Sequence, residues 1–298
     1  MKLASVLSGG IEQAAVVYPE GAIPVSVLAD YVGADWNAEL FEIIGSGQLG
    51  AIARWFNSDQ GMTAIKLQDK VIPFSEIKYL PLYRRPSKII GVGLNYPEHI
   101  LNLSEKQPEI YPGTFIKPYT TIIGYGDSIF IPSMSERTTV EAELGIIIGK
   151  EARNVDEENW TDIIAGFTCI IDVTAEDILS LNPRFLTLAK GFDSFFSFGP
   201  FMLTPDEVLP LGDQRISTAI NGKVCAENIV SNMIFPPSRL VSLYSKVFSL
   251  LPGDIISTGT PGAAVIRHGD SAEAKIDGFS ALRNYIVDEK SESYGSDA

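Results

Sequence analysis

From residue 88 onward, the chain is a succession of short apolar runs separated by Gly, Pro, Asp and Asn, and this pattern strongly limits the folds open to it. Apolar runs of about four to eight residues bounded by turn residues are typical of buried strands. Residues 238–251 give the clearest amphipathic helical pattern, and long helices are otherwise few. The pattern predicts a β-rich sandwich or barrel-like core. Strands are predicted over residues 89–94, 129–132, 144–148, 166–173, 198–203, 216–220, 254–257 and 274–276.

The first 82 residues have a different pattern, which predicts a small α/β domain. Two strand patterns flank a Gly9-Gly10 turn, and two helical patterns follow. Arg84-Arg85-Pro86 has the character of a linker, because the residue before a proline is restricted to extended conformations. We therefore divide the chain into a small N-terminal α/β domain, residues 1–82, and a larger β-rich α+β domain, residues 83–298. The predicted strands are residues 3–7 and 14–18, and the predicted helices are residues 25–31 and 38–56.

The charge balance excludes some classes of partner. Acidic residues number 37 and basic residues 23, which gives a formal net charge of −14. This acid excess argues against binding to duplex nucleic acid or an anionic membrane, since both need a basic face, so we expect neither partner. It is compatible with a local cationic site. The N-terminal apolar stretch is too short for a signal peptide, and no apolar run approaches the roughly 20 residues that span a bilayer. We expect a soluble, cytoplasmic protein.

Two glutamates share one face of a predicted strand. Glu141 and Glu143 alternate with apolar residues in the segment 140–148, and residues i and i+2 of a strand point to the same side. Carboxylates about 7 Å apart repel each other, so a cation between them would stabilise both. On the two glutamates alone, a solvated edge strand with surface acids is the simpler interpretation, because Glu is usually exposed.

A third acid favours a metal site. Asp172 ends the apolar run 166–172, and Thr174 has the position of a helix N-cap, with two acids in the turn that follows. Three carboxylates and water suit an octahedral Mg²⁺ site. The chain has only two histidines, His99 and His268. The ligands of any metal are therefore mostly oxygen, which favours Mg²⁺, Mn²⁺ or Ca²⁺.

One segment carries a family resemblance. Residues 89–99 read IIGVGLNYPEH and resemble the GxNYxxH motif of the fumarylacetoacetate hydrolase superfamily. Seven further segments resemble motifs of that superfamily and keep its order along the chain. The resemblance covers roughly residues 86–287 and extends to the acylpyruvase-like and oxaloacetate decarboxylase-like members. The seven segments are residues 115–118, 141–144, 172–175, 188–193, 198–200, 221–222 and 252–262.

The resemblance implies a mixed β-sandwich roll that forms a homodimer and follows a small N-terminal domain. It implies a divalent cation and a small keto acid substrate. The implied reaction is hydrolysis of a carbon–carbon bond, decarboxylation or keto–enol tautomerisation. A cation that stabilises an enolate would serve all three reactions. Carried over residue by residue, the metal ligands are Glu141, Glu143 and Asp172, and the catalytic residues are Lys190 and His99. Thr258 or Thr260 could hydrogen-bond the substrate carboxylate.

Three candidate substrate-binding positions depart from the family pattern. Asn102 stands where the family has a glutamate one helical turn after the histidine, and an amide cannot take a proton from water. Glu176 replaces an arginine and Leu179 replaces a glutamine. We therefore expect a metal-binding member with altered chemistry or an altered substrate, in which ordinary acylpyruvate hydrolysis is weak. The departures are compatible with a decarboxylase or tautomerase of a small 2-oxo acid, and with an enzyme of specialised metabolism that acts on a bulkier β-dicarbonyl compound, since Leu179 makes the pocket more apolar. A binding protein without turnover, and a specialised-metabolism lyase or cyclase with the same metal site, are the alternatives.

Overall fold

Strands make up most of the regular secondary structure. The computed structural model describes residues 1–58, 70–103 and 106–291, except for the side chains of residues 102 and 103. The strands are β1 (Lys2–Ser8), β2 (Ile11–Tyr18), β3 (Gly21–Pro24), β4 (Lys78–Tyr79), β5 (Ile89–Gly93), β6 (Gly113–Lys117), β7 (Ile122–Ile123), β8 (Ser128–Ile131), β9 (Thr138–Ile148), β10 (Ile164–Ala175), β11 (Phe196–Leu203), β12 (Arg215–Ile220), β13 (Lys223–Ile229), β14 (Ile255–Ser257), β15 (Ala263–Val265), β16 (Ser271–Ile276) and β17 (Leu282–Asp288).

The helices are short and connect the strands. Turns of 3-10 helix occur at Phe74–Glu76, Tyr119–Thr121, Glu157–Ile163 and Val230–Asn232. The described α-helices are α1 (Val25–Val32), α2 (Leu40–Gly45), α3 (Leu49–Phe56), α4 (Pro97–Leu103), α5 (Glu176–Leu181), α6 (Leu186–Lys190), α7 (Pro205–Val208) and α8 (Pro237–Val247). In the part of the chain that the structure describes, every helix is too short or too polar to cross a bilayer.

Two sheets are formed by these strands. The larger, twelve-stranded sheet has the order β3-β2-β1-β11-β10-β9-β14-β5-β6, with β4 beside β1, β7 beside β11 and β15 beside β9. The smaller, five-stranded sheet has the order β13-β12-β16-β17-β8. Most neighbours are antiparallel, whereas β14 with β5, β7 with β11 and β8 with β17 are parallel. The predicted fold class, a mixed β-rich α+β fold, is confirmed.

The long antiparallel pair β9 and β10 lies at the centre of the molecule. Every residue of both strands is buried, because apolar side chains pack on both faces of the larger sheet. On one face, Leu144 and Ile146 share a core with Ile216 and Leu282 of the smaller sheet. The pairing places Asp172 directly opposite Glu141. The register of this pair therefore decides which polar side chains meet.

The N-terminal strands extend the larger sheet. The two strands predicted around the Gly9-Gly10 turn are present as β1 and β2, and β1 pairs with β11 through Lys2 and Leu3. The single helix predicted over residues 38–56 is wrong. The chain forms α2 and α3 instead, and it turns at Gly47, whose φ of +71° favours glycine. The domain division after residue 82 stays a prediction.

Candidate functional site

The structure brings the three predicted metal ligands together. Glu141 and Glu143 point to the same side of β9, and Asp172 lies on the neighbouring strand opposite Glu141. All three are buried. One oxygen of each carboxylate lies within 4.8 Å of one oxygen of each of the others. We call Glu141, Glu143 and Asp172 the acidic triad.

Glu143 is the carboxylate of the acidic triad without a cationic partner among the described residues. Its Oε2 atom accepts a hydrogen bond from Ser257 Oγ. It also accepts one from the backbone N–H of Gly259, at 2.8 Å. Burial, and then the charges of Asp172 and Glu141, raise the pKa of Glu143 to about 8. A cation beside Glu143 would remove this electrostatic cost.

A neighbouring phenol also has unused hydrogen-bonding capacity. Tyr96 is fully buried, and its hydroxyl has no hydrogen-bond partner among the residues that the structure describes. Burial, and then the charge of Glu143, raise the pKa of Tyr96. Buried hydroxyls are normally paired, so an orphan near a carboxylate suits a bound water or ligand. A site built of carboxylate oxygens with such a group nearby fits a hard divalent cation.

Lys190 occupies the position expected of a catalytic lysine. It is the last residue of α6, and its Nζ donates to Asp172 Oδ2 at 2.6 Å, Glu141 Oε2 at 2.7 Å and Thr174 Oγ1 at 2.6 Å. The ammonium also lies 4.8 Å from the ring centre of Phe115. Burial opposes its charge, but attraction to the two carboxylates outweighs burial and raises the pKa of Lys190.

A second buried lysine was missed in the sequence analysis. Lys117 is 2% exposed, and its Nζ pairs with Asp172 Oδ1 and lies 3.3 Å from the carbonyl oxygen of Val173. Burial outweighs attraction to Asp172 and lowers the pKa of Lys117 to about 8. The signal was strand alternation on β6, where Phe115 and Lys117 are buried while Ile116 is exposed. Burial opposes the charge of Asp172, but the two lysines lower its pKa.

His99 lies beside the acidic triad. Its side chain is 9% exposed, and Nε2 lies 3.8 Å from Glu141 Oε1. Burial is the largest effect on the imidazole and lowers the pKa of His99. The histidine belongs to α4, which begins two residues after Asn95. Asn95 fixes this segment, because its side chain bonds both backbone groups of Phe235 and donates to Thr258 O at 2.7 Å.

Glu141, Glu143, His99 and Lys190 line a cavity of about 370 Å³. Its wall combines carboxylates and Lys190 with apolar groups from β5, β6 and the segment containing α5 and α6. The lining residues are Val92, Gly93, Leu94, His99, Gly113, Phe115, Glu141, Glu143, Glu176, Leu179, Ser180, Pro183, Leu186, Lys190 and Thr260. A concave apolar site with a few converging polar groups is typical of small-molecule binding.

The structure places the other predicted residues unequally. Glu176, Leu179 and Thr260 line the cavity. Thr258 is fully buried, donates its hydroxyl hydrogen to Leu144 O at 2.9 Å and is absent from the described cavity wall. The side chain of Asn102 lies outside the described residues.

The predicted helix N-cap at Thr174 is wrong. Thr174 belongs to β10, Ala175 precedes α5, and no side chain caps that helix. The Thr174 hydroxyl instead donates to Glu141 Oε2 at 3.2 Å and accepts from Lys190. The reason is that β10 continues two residues past the predicted end of the strand, which turns Thr174 towards the acidic triad.

Known proteins that resemble this chain agree with the family indicated by its sequence motifs. Residues 88–287 match the family described as "Fumarylacetoacetate (FAA) hydrolase C-terminal". An uncharacterised protein of Archaeoglobus fulgidus is 42% identical over 217 residues, which is 72% of this chain and 84% of that protein. The mitochondrial oxaloacetate tautomerase Fahd2a of Rattus norvegicus is 32% identical over 232 residues, 75% of this chain and 74% of that protein.

Solved structures extend the likeness over nearly the whole chain. Maleylpyruvate hydrolase from Sphingobium sp. SYK-6, in complex with manganese (II) ion and pyruvate, has a TM-score of 0.76 at 25% identity, and the match covers 97% of this chain and 99% of that chain. The family motifs identified in the sequence therefore lie in the expected fold. The chain belongs to the fumarylacetoacetate hydrolase family.

Proposed function

We propose that this protein is a divalent-metal-dependent enzyme that catalyses keto–enol tautomerisation of a small 2-oxo acid. The observation that carries the proposal is the buried acidic triad, two of whose members, Glu141 and Glu143, line one cavity with Lys190 and His99. The mitochondrial rat relative is named an oxaloacetate tautomerase, and the Sphingobium hydrolase was crystallised with manganese and pyruvate. Both names support a 2-oxo acid as the substrate.

Glu141, Glu143 and Asp172 would hold the cation. When bound there, a divalent cation acts as a Lewis acid and stabilises negative charge on the ketone oxygen of the substrate. Lys190 adds a fixed positive charge, because its ammonium is held by two carboxylates and a hydroxyl. Lys190 would thereby help to stabilise the enolate that is common to both tautomers.

In this proposal His99 moves the proton. Its Nε2 atom faces Glu141 across 3.8 Å, and its side chain lines the cavity. In the proposed reaction Nε2 takes a proton from the carbon next to the ketone, and the proton returns at the oxygen to give the enol. Tautomerisation needs no activated water. This agrees with a cavity wall that is partly apolar, through Val92, Phe115 and Leu179.

The test is the decay of enol absorbance of oxaloacetate and phenylpyruvate, with Mn²⁺ or Mg²⁺ and with the same metal without protein. We expect the protein to accelerate this decay, and the acceleration to fall at least about 100-fold in Glu143→Gln. Mutation of residues that only hydrogen-bond to metal ligands already lowers metal affinity or activity about 10- to 100-fold. Glu227→Gln is the control, because Glu227 is an exposed partner of Arg215 outside the cavity.

Two results would contradict the proposal. Protein-dependent formation of pyruvate from oxaloacetate, without faster enol decay, would identify a decarboxylase. Calorimetric binding of Mn²⁺ that is lost in Glu143→Gln, without any acceleration by the wild-type protein, would identify a metal-binding protein without turnover.

A further inference from the structure

The described lining residues of the cavity include few groups that could receive a second charge on the substrate. Leu179, Pro183 and Leu186 form its apolar part on the segment containing α5 and α6. Among the described lining residues, Lys190 is the one lysine, arginine being absent, and its ammonium is already bonded to the acidic triad. Apart from His99, which the proposed function uses as the base, the described lining residues therefore offer no free cation to a second carboxylate. Arg184 follows the lining residue Pro183, but it is exposed and does not itself line the cavity.

Glu176 adds a negative charge to this wall. It is the first residue of α5, its side chain is 28% exposed, and it lines the cavity. Arg137 Nε pairs with its Oε2 atom at 2.9 Å, but Arg137 is 56% exposed and does not itself line the cavity. Glu176 therefore stands between that arginine and the substrate space.

The position of Glu176 is fixed by its surroundings. Its backbone N–H donates to Arg137 O at 2.8 Å. The next residue, Asp177, accepts hydrogen bonds from Ser135 Oγ and the backbone N–H of Glu136, both at 2.8 Å. The first turn of α5 is thus tied to the loop before β9, which keeps Glu176 and Leu179 at the cavity.

We infer that, given the proposed function, the substrate is a 2-oxo acid with one carboxylate and an uncharged, apolar substituent. The carboxylate and ketone belong at the acidic triad, so the substituent extends towards Leu179 and Glu176. A second carboxylate would be desolvated against apolar side chains and repelled by Glu176. Glu176 and Leu179 are then the residues that determine specificity.

Arg137 offers a competing interpretation, in which it leaves Glu176 and binds a second carboxylate. The ion pair opposes this movement, since breaking it would leave Glu176 facing the incoming acid. The two interpretations predict opposite effects of substitution on the turnover of a dicarboxylic substrate. Removing Glu176 favours a dicarboxylic substrate in the first, whereas removing Arg137 harms that substrate specifically in the second.

The experiment compares phenylpyruvate, with an apolar arm, and oxaloacetate, with a second carboxylate, in the Mn²⁺-dependent enol assay. We expect kcat/KM to be at least about tenfold higher for phenylpyruvate. Glu176→Gln and Leu179→Gln should each raise the oxaloacetate-to-phenylpyruvate ratio of kcat/KM about fivefold or more. The control Glu227→Gln, which breaks an exposed pair with Arg215, should leave the ratio unchanged.

A wild-type preference for oxaloacetate would overturn the inference, as would a selective loss of oxaloacetate turnover in Arg137→Gln. Calorimetric binding of both acids to the Mn²⁺-loaded protein provides a reading without turnover. Tighter binding of phenylpyruvate without catalysis of either acid would support the ligand class and contradict the proposed function. Equal binding of both acids would overturn the ligand class.

Discussion

Individual charges control the electrostatic balance of the acidic triad. Lys117 and Lys190 both bond Asp172, and Lys190 also bonds Glu141. Glu143 is held by neutral donors, Ser257 and Gly259. When all three carboxyl groups are ionised, they outnumber the two ammonium groups and attract a further cation, but each lysine repels it. The same lysine can therefore stabilise the metal-free protein and weaken metal binding.

Lys117→Gln should separate these two effects. The substitution removes one buried ammonium from Asp172, so the free energy of unfolding without metal should fall by about 3 kcal/mol. Loss of the repelling charge should tighten Mn²⁺ binding by at least about tenfold. Urea denaturation and titration calorimetry measure the two quantities.

The matched control is Lys88→Gln. Lys88 pairs with buried Asp254 at 2.7 Å, outside the cavity. In Lys88→Gln the free energy of unfolding should fall, whereas the affinity for Mn²⁺ should stay unchanged. Weaker Mn²⁺ binding in Lys117→Gln would show that Lys117 supports the metal site by orienting Asp172 and that its charge is secondary.

At the scale of elements, strand alternation made part of the site predictable. The period of two placed Glu141 and Glu143 on one face of β9. The pairing of Asp172 with Glu141 depends on the register between β9 and β10, which distant packing sets and local sequence does not specify. The family motifs, with their order along the chain, supplied that information instead. The same alternation places Phe115 and Lys117 on one face of β6, and the packing of the folded chain makes that face the buried one.

Local patterns failed where tertiary contacts change the extent of an element. Residues 38–56 have helical periodicity, but the chain breaks at Gly47 into two helices. Thr174 is a residue type favoured at the N-cap of a helix, yet β10 extends through Ala175 because its full length pairs with β9. Both errors concern boundaries, which depend on contacts with other elements.

The anchor of α5 gives a prediction with a pH signature. Asp177 accepts bonds from Ser135 and Glu136; partial burial opposes its charge, but these bonds outweigh burial and lower the pKa of Asp177. Asp177→Asn should therefore lower the free energy of unfolding at pH 7 by about 1 kcal/mol. A lowered folded-state pKa stabilises the protein above the unfolded-state pKa of about 3.9. The difference between wild type and variant should thus persist from pH 7 to about pH 5 and shrink as the pH falls through the folded-state pKa.

Urea denaturation at a series of pH values measures this difference. Asp270→Asn is a suitable comparison, because Asp270 also accepts a backbone N–H, that of Arg267 at 2.8 Å, in a distant turn. Asp177→Asn should in addition raise KM for the proposed substrate, since Glu176 and Leu179 depend on the anchor, whereas Asp270→Asn should not. A stability difference for Asp177→Asn that is the same at pH 7 and pH 3 would contradict the assigned role of its charge.

At the scale of the whole molecule, one sheet crosses the predicted domain boundary. β1 pairs with β11, and side chains from both sides of residue 82 share their apolar cores. Leu3 and Val16 pack in the same cluster as Ile147 and Phe196. Elements that share a sheet and a core lose their contacts together, so the two segments should unfold as one cooperative unit.

Scanning calorimetry tests this cooperativity. The wild-type protein should show a single transition, and Leu3→Ala should lower its midpoint as a whole, since deleting a buried leucine side chain costs about 2 to 5 kcal/mol. Leu144→Ala, a buried leucine beyond residue 82, is the matched variant and should move the same transition. Two transitions, with Leu3→Ala lowering only one and Leu144→Ala only the other, would show that residues 1–82 fold as an independent domain despite the shared sheet.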